Sequence, residues 1–295
     1  MHVDALVLVA YGNQGIAELA DGSRVECAFR RSVGRPLCGD RVVLERADGE
    51  SFVVTAIEKR KNVFVRADRQ QRQQAVASNL DQVLIVIAPH PAPSKDLVER
   101  YLVAVHSLGI RPVLVVNKSE LLDKTQRQDS APFCRLEAYR NLGYAVVEIS
   151  CREDPGVTPL SGFLDGAISI LVGQSGVGKS SIVNRLIPDL DLQTGSLSHS
   201  TGKGTHTTTT TIMYSLPQGG RLVDSPGVWE YGLWSLSTDE LAAGFPEFAP
   251  FVNQCRFNDC EHRSEPGCGV ASAVEQDHIL PWRYHSYLRL VQQAN

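Results

Sequence analysis

The sequence has no long apolar run. Its runs, such as Val83–Ala88, are far shorter than the ~18 residues of a bilayer-spanning helix. The first residues, Met1-His-Val-Asp-Ala5, lack a basic start followed by an apolar stretch, which is the pattern of a secretory signal. We therefore expect no membrane partner and a cytoplasmic protein.

An excess of basic charge is also absent. The chain has 29 Lys and Arg against 33 Asp and Glu, a net charge of −4, which excludes a wholly basic nucleic-acid binder but leaves room for a local basic patch. With 43% hydrophobic and 21% charged residues, the 295-residue chain has a globular composition. Its length favours two domains, with room for a third small one.

The cysteines do not form a pattern of disulfide pairs. Seven is an odd number, and four of them are scattered through the chain. The other three lie close to a histidine in the spacing Cys255-x₄-Cys260-x-His262-x₅-Cys268. Three thiolates and one imidazole suit tetrahedral zinc, so we expect one Zn²⁺ per chain. The alternative is a set of free cysteines in a reducing compartment.

The chain divides into three parts, so we expect a multidomain protein. Residues 1–66 alternate short apolar runs with turn signals, which predicts a small β-barrel or sandwich. Residues 67–240 alternate buried strands with helices, which predicts an α/β domain with a mostly parallel sheet. Residues 241–295 hold the Cys/His cluster and end in a predicted helix over 279–293, with Leu280, Tyr284, Leu288 and Val291 on its packing face.

The strongest motif is a phosphate-binding loop between an apolar strand and a helix. Backbone N–H groups of such a loop converge on phosphates, Lys179 would reach the β- and γ-phosphates, and Ser180 would bind Mg²⁺. The predicted nucleotide-binding residues of this segment are Gly173, Gln174, Ser175, Gly176, Val177, Gly178, Lys179, Ser180 and Ser181.

Two strand ends indicate guanine as the base. Asn117-Lys118-Ser119-Glu120 resembles the Asn-Lys-x-Asp motif of GTPases, with Glu120 in place of aspartate. A carboxylate there accepts hydrogen bonds from guanine N1–H and N2–H₂, a donor pair that adenine lacks. Ser150-Cys151, after the next strand, matches the short element that supports the base through main-chain groups. Taken alone, each could be an ordinary polar loop.

Two further segments complete the expected site. Asp224-Ser-Pro-Gly227 resembles the Asp-x-x-Gly element of GTPases, in which the aspartate holds Mg²⁺ through water and the glycine N–H senses the γ-phosphate. The threonine run before it offers Thr207, Thr208 and Thr209 as Mg²⁺ ligands, and Thr208 is our choice. A tight turn and a polar linker are the respective alternatives.

The order of these motifs is unusual, because base recognition precedes the phosphate loop. This order, the N-terminal barrel and the Cys/His spacing together resemble the ribosome small-subunit-dependent GTPase A family, over essentially the whole chain. The resemblance implies an oligonucleotide-binding (OB) barrel, a circularly permuted GTPase domain and a zinc-binding domain. It also implies a late step in maturation of the 30S subunit, with GTP hydrolysed to GDP and phosphate under stimulation by that subunit.

The resemblance further implies a hydrolytic histidine at His206. Val228, which follows the Asp-x-x-Gly element, has no polar group to orient the attacking water. The imidazole of a histidine can orient or deprotonate that water near pH 7. A surface histidine beside threonines is the alternative.

A basic segment indicates contact with rRNA. Residues 59–72 carry six basic side chains (Lys59, Arg60, Lys61, Arg66, Arg69 and Arg72) against Asp68 alone, and Arg30, Arg31 and Arg35 form a second cluster. We expect a monomer that binds GTP or GDP and the 30S subunit. A nucleotide-gated RNA-binding module with incidental hydrolysis, and a phosphate-loop ATPase or small-molecule kinase, remain competing hypotheses.

Overall fold

The computed structural model describes residues 2–47, 51–67, 72–153, 156–188, 190, 210–225 and 236–294. Thirteen strands lie in these ranges: β1 His2–Tyr11, β2 Gln14–Leu19, β3 Arg24–Phe29, β4 Arg41–Arg46, β5 Phe52–Ile57, β6 Val63–Ala67, β7 Gln73–Ser78, β8 Gln82–Ile87, β9 Arg111–Val116, β10 Ala145–Glu148, β11 Ile168–Val172, β12 Ile212–Ser215 and β13 Arg221–Asp224.

Nine α-helices lie in the same ranges: α1 Leu97–Ser107, α2 Lys124–Asp129, α3 Leu136–Asn141, α4 Ser161–Leu164, α5 Lys179–Leu186, α6 Thr238–Ala243, α7 Ala249–Val252, α8 Gly269–Glu275 and α9 Pro281–Ala294. None of these helices has both the length and the hydropathy that crossing a membrane requires.

The first five strands close into a barrel. Their order is β1-β2-β3-β5-β4, and β4 pairs back onto β1. All pairings are antiparallel except β3 with β5, which is the arrangement of an OB fold. Alternate side chains point inward and form a separate apolar cluster that includes Val7, Phe29 and Leu44.

The second sheet has the order β10-β9-β8-β11-β13-β12. All its pairings are parallel except that of β12 with β13. Every residue of β8 is buried, as expected for a central parallel strand covered on both faces. A single pairing, Val9 with Ile212, joins this sheet to the barrel. The strands β6 and β7, which lie between β5 and β8 in the sequence, form a separate antiparallel pair.

The carboxyl ends of the parallel strands meet at one edge of the second sheet. The segments that follow β8, β9, β10, β11 and β13 therefore converge there, although they are spread over nearly half of the chain. In open α/β sheets this edge is where ligands bind. The fold thus brings the sequence motifs together without requiring any particular chain order.

The last helix packs in part as expected. Val291 is buried and Tyr284 and Leu288 pack partly buried against the core, but Leu280 lies before the helix and is 37% exposed. The buried face also includes Arg283, Ser286 and Tyr287. The apolar pattern could not show this face because a charged side chain lies at its centre. Arg283 is fully buried and donates to Glu247 at 2.5 Å and 3.2 Å. The domain boundaries at 66/67 and 240/241 stay predictions.

Candidate functional site

The phosphate loop runs from the end of β11 into the first turn of α5. Gly173 has a φ of 144° and Gly178 a φ of 97°, values that side-chain-bearing residues rarely adopt. A Cβ on Gly173 would lie 2.3 Å from the carbonyl oxygen of Val86. One on Gly178 would lie 2.3 Å from Nδ2 of Asn117. Both glycines are therefore required by the close approach of neighbouring segments.

Lys179 lies within this loop and bonds to its backbone. Its Nζ donates to the carbonyl oxygens of Gly173 at 2.7 Å and Gln174 at 3.0 Å. The side chain is thus already folded over the loop, where it can reach a bound phosphate. Ser180 and Ser181 follow at the exposed start of α5, where the backbone N–H groups favour an anion.

The base-recognition segment is bonded directly to the phosphate loop. Asn117 is buried, and its Nδ2 donates to the carbonyl of Val177 at 2.8 Å. Lys118 is in the left-handed region with a φ of 58°, and its Nζ donates to the carbonyl of Gly176 at 2.8 Å. Ser119 donates its N–H to Ile149 at 3.1 Å, which links the segment to β10 as well.

Glu120 carries a buried carboxylate oxygen that bears on the expected recognition of guanine. Its Oε2 is buried and has no hydrogen-bond partner among the described residues. A carboxylate oxygen in this state is costly to bury unless a donor meets it. The N–H groups of a guanine edge are donors of the right kind, and the adenine edge has no matching pair.

Ser150 and Cys151 form a tight turn beside Asn117. The Ser150 hydroxyl accepts the N–H groups of Arg152 at 3.1 Å and Glu153 at 3.0 Å. The Cys151 thiol lies 3.6 Å from Oδ1 of Asn117, and burial raises its pKa, so this side chain is neutral. Arg185 of α5 donates to the Cys151 carbonyl at 3.1 Å, a contact that spacing alone does not reveal.

Asp224 lies at the end of β13, near Lys179. Loss of solvation inside the protein raises the pKa of its carboxyl group, and the positive charge of Lys179 offsets part of that rise. A carboxylate here can face a cation beside the phosphate loop. Of the other predicted site residues, His206, Thr207, Thr208, Thr209 and Gly227 lie outside the described residues.

The loop between β8 and α1 is a part of the site that the motifs do not predict. Its His90 carbonyl accepts a hydrogen bond from Nζ of Lys118 at 2.6 Å. Its Pro91 and Ala92 carbonyls accept from Nε2 of Gln174, each at 3.0 Å. A run of alternating prolines at the end of a buried strand, Pro89, Pro91 and Pro93, is the one sequence signal that marks this loop.

The C-terminal cluster has the geometry of a metal site. The donor atoms of Cys255, Cys260, His262 and Cys268 all lie within 4.8 Å of one another. Nδ1 of His262 is 3.5 Å from the Cys255 sulfur and 3.6 Å from the Cys268 sulfur. Tetrahedral zinc, with Zn–S of about 2.3 Å and Zn–N of about 2.0 Å, gives edges close to these. The four residues can hold a metal ion.

Two further features of the cluster suit metal binding. Backbone N–H groups of Gly269 and Ala271 point at the Cys255 and Cys268 sulfurs, at 3.3 Å and 3.4 Å, as they would toward thiolates. Burial lowers the pKa of His262, which favours the neutral imidazole that coordinates metals.

The basic segment is less positive than its sequence indicates. Arg60 donates two hydrogen bonds to buried Asp40, both at 2.7 Å, and Lys61 pairs with Asp81 at 2.9 Å. Both partners lie outside residues 59–72, so a count within that segment misses them. Arg69 lies outside the described residues.

Comparison with known proteins gives a consistent result. A family model described as RsgA GTPase matches residues 57–234. The "Small ribosomal subunit biogenesis GTPase RsgA" of Chromohalobacter salexigens is 45% identical over 93% of this chain and 80% of its own length. That of Pseudomonas aeruginosa is 41% identical over 97% and 84%.

Solved structures show the same fold. YjeQ from Thermotoga maritima superposes with a TM-score of 0.82 at 30% identity, over 100% of this chain and 99% of that one. YloQ, described as a circularly permuted GTPase, gives 0.78 at 24% identity, over 100% and 95%. The expected fold class, a barrel, a permuted phosphate-loop domain and a C-terminal part with a Cys/His cluster, is confirmed.

Glu120→Gln tests base recognition at nearly constant side-chain size. The amide replaces one acceptor oxygen with a donor, which would face the donors of guanine. We expect GDP binding to weaken by about 2–4 kcal/mol. Xanthosine diphosphate, which has a carbonyl acceptor at C2, should bind the variant better than GDP. Titration with both nucleotides and with ADP measures this, and unchanged GDP affinity would contradict the assignment of Glu120.

Proposed function

The chain belongs to the RsgA GTPase family, and on that basis we propose that it is a late maturation factor of the 30S ribosomal subunit. It is a GTP-hydrolysing enzyme of this family, and the relatives above are named for small-subunit biogenesis. In the proposed cycle the GTP-bound protein binds the immature subunit through its rRNA, and the subunit stimulates hydrolysis. The GDP-bound protein then leaves.

The main support is that the proposed base-recognition segment is hydrogen-bonded to the phosphate loop. Asn117 and Lys118 each donate to the phosphate loop, at Val177 and Gly176, so one nucleotide can span both segments. Glu120 adds the acceptor that favours guanine. The adenine of an ATPase or kinase substrate has an N6 amino donor but no second donor beside it, so such an acceptor favours guanine.

We propose that the two metals have separate roles. One Zn²⁺ per chain, held by Cys255, Cys260, His262 and Cys268, would stabilise the C-terminal part. Mg²⁺ would enter with GTP. Ser180, at the exposed start of α5, would be one ligand, Asp224 would act through water, and Thr208 is assigned from sequence alone.

The N-terminal barrel is the proposed rRNA-binding part. Barrels of this class bind nucleic acid on one face and its loops. Among its described basic residues, Arg31, Arg35 and Lys59 are exposed and are better placed for phosphate contacts than Arg60, which is held by Asp40. Such contacts give salt-dependent affinity with little sequence preference. We further propose a cytoplasmic monomer as the working form.

His206 is the proposed residue that orients the attacking water. Support comes from its place in the segment before Asp224 and from the lack of a polar group on Val228. An imidazole is suited to this role near neutral pH because its ordinary pKa is about 6.5.

Cys260→Ser tests the zinc assignment. The variant leaves three donors, so its metal content should fall from one zinc per chain to nearly none and the C-terminal part should loosen. Cys134→Ser, which alters a cysteine outside the cluster, is the matched control and should keep its zinc. Elemental analysis and melting curves measure both. A full zinc complement in the Cys260 variant, or a cooperative metal-free parent protein, would refute a structural zinc.

His206→Ala tests both the hydrolytic residue and the function. We expect the parent protein to hydrolyse GTP much faster with 30S subunits than without them. The variant should bind GTP normally and lose the stimulated rate by about 10²-fold or more. His285→Ala, which removes an exposed histidine on α9, is the control. Equal rates with and without subunits in the parent would favour an RNA-binding module with incidental hydrolysis, and a normal rate in the variant would exclude His206.

A further inference from the structure

Asp96 makes an unusual start to helix α1. It is buried, and it has a left-handed backbone with a φ of 61°. In the described part of the chain its carboxylate does not cap α1, which is the ordinary use of an aspartate at this position. It faces the last helix instead, where the Ser286 hydroxyl donates at 2.8 Å and Arg289 donates twice at 2.6 Å.

These contacts hold a charged carboxylate in the interior. Burial by itself would raise the pKa of Asp96, but the hydrogen bonds from Arg289 and Ser286 more than offset it, so the pKa lies below its ordinary value. Ser286 and Arg289, which lie 190 and 193 residues after Asp96 in the sequence, thus hold its side chain in place. A left-handed aspartate persists only where its surroundings impose it.

Asp96 is also the last residue of the loop that touches the nucleotide site. Residues 90–92 of that loop are exposed, yet their carbonyls receive the hydrogen bonds of Lys118 and Gln174 described above. Pro91 further lies against the phosphate loop, where a Cβ on Gly176 would be 3.3 Å from its ring. Prolines fix φ at positions 89, 91 and 93, so few torsions of the loop remain to absorb a shift at Asp96 before it reaches these carbonyls.

The other face of α9 holds the metal cluster. The hydroxyl of Tyr284 donates to the carbonyl of His262 at 2.9 Å, and that of Tyr287 donates to the carbonyl of Glu261 at 2.6 Å. One helix therefore touches the backbone around a metal-site histidine and the residue that anchors the loop at the nucleotide site.

We propose that Asp96 is a positioning residue of the nucleotide site, which acts by fixing the 90–92 carbonyls against Lys118 and Gln174 while α9 holds its carboxylate. The hydrogen bonds from Ser286 and Arg289 of α9 to Asp96 then contribute to the affinity for guanine nucleotides, although these residues lie outside that site. This inference rests on the proposed function, because it takes the nucleotide to be GTP or GDP.

Asp96→Asn and Arg289→Ala test the proposal. Asparagine tolerates the left-handed backbone and keeps the size of the side chain, so mainly the charge pair is lost. We expect each variant to release a fluorescent GDP analogue about tenfold faster than the parent and to raise KM for GTP, with kcat at saturation unchanged. The double variant should be no worse than either single one, since both remove the same pair. Arg289→Lys should recover part of the affinity.

Arg100→Ala is the matched control. It removes the hydrogen bond from Arg100 to Gln293, at 2.8 Å, which joins the same two helices at the surface without involving Asp96. We expect its GDP release rate to stay within twofold of the parent, and zinc content to match the parent in all variants.

Three outcomes would overturn the proposal: GDP release at the parent rate in Asp96→Asn and Arg289→Ala, a lower melting temperature with no change in affinity, or an equal effect of Arg100→Ala. Should Asp96→Asn not fold, Ser286→Ala removes one hydrogen bond and is expected to speed release two- to threefold. A parent protein that binds no guanine nucleotide would instead refute the proposed function, so the two failures are distinguishable.

Discussion

The hydrogen bond from Asn117 to the carbonyl of Val177 is the constraint on which the nucleotide site depends. It joins the segment proposed to read the base to the loop proposed to hold the phosphates, and Asn117 is buried. It also explains Gly178, since any side chain there would collide with the Asn117 amide. A buried amide with this partner keeps the two segments in fixed register, so base and phosphates can be recognised as one ligand.

A parallel sheet makes this bond independent of chain order. The strands β9 and β11 lie on either side of β8, with their carboxyl ends at the same edge, so it does not matter that Asn117 precedes Val177 by 60 residues. What the permuted order does change is the neighbourhood of the chain ends. The barrel precedes the sheet, and the part with the Cys/His cluster follows Asp224, which lies at the carboxyl edge where the nucleotide is proposed to bind.

The local parts of the site are predictable from the sequence, and its long-range parts are not. Residues 173–178 form a loop between β11 and α5, as the glycine-rich motif over 173–180 predicts. The Cys/His cluster is equally local. By contrast, Asp40 holds Arg60, Glu247 holds Arg283, and Asp96 is held from α9, over separations of 20, 36 and 190 or more residues. Buried ion pairs of this kind have no periodicity, so apolar patterning assigns their residues to solvent.

The central claim is that nucleotide state at the sheet edge controls association with the ribosome. Its most direct test is the fraction of protein that sediments with purified small subunits, at one fixed salt concentration, in a non-hydrolysable GTP analogue or in GDP. The account predicts at least tenfold tighter association with the GTP analogue. Equal association in the two nucleotides would contradict it.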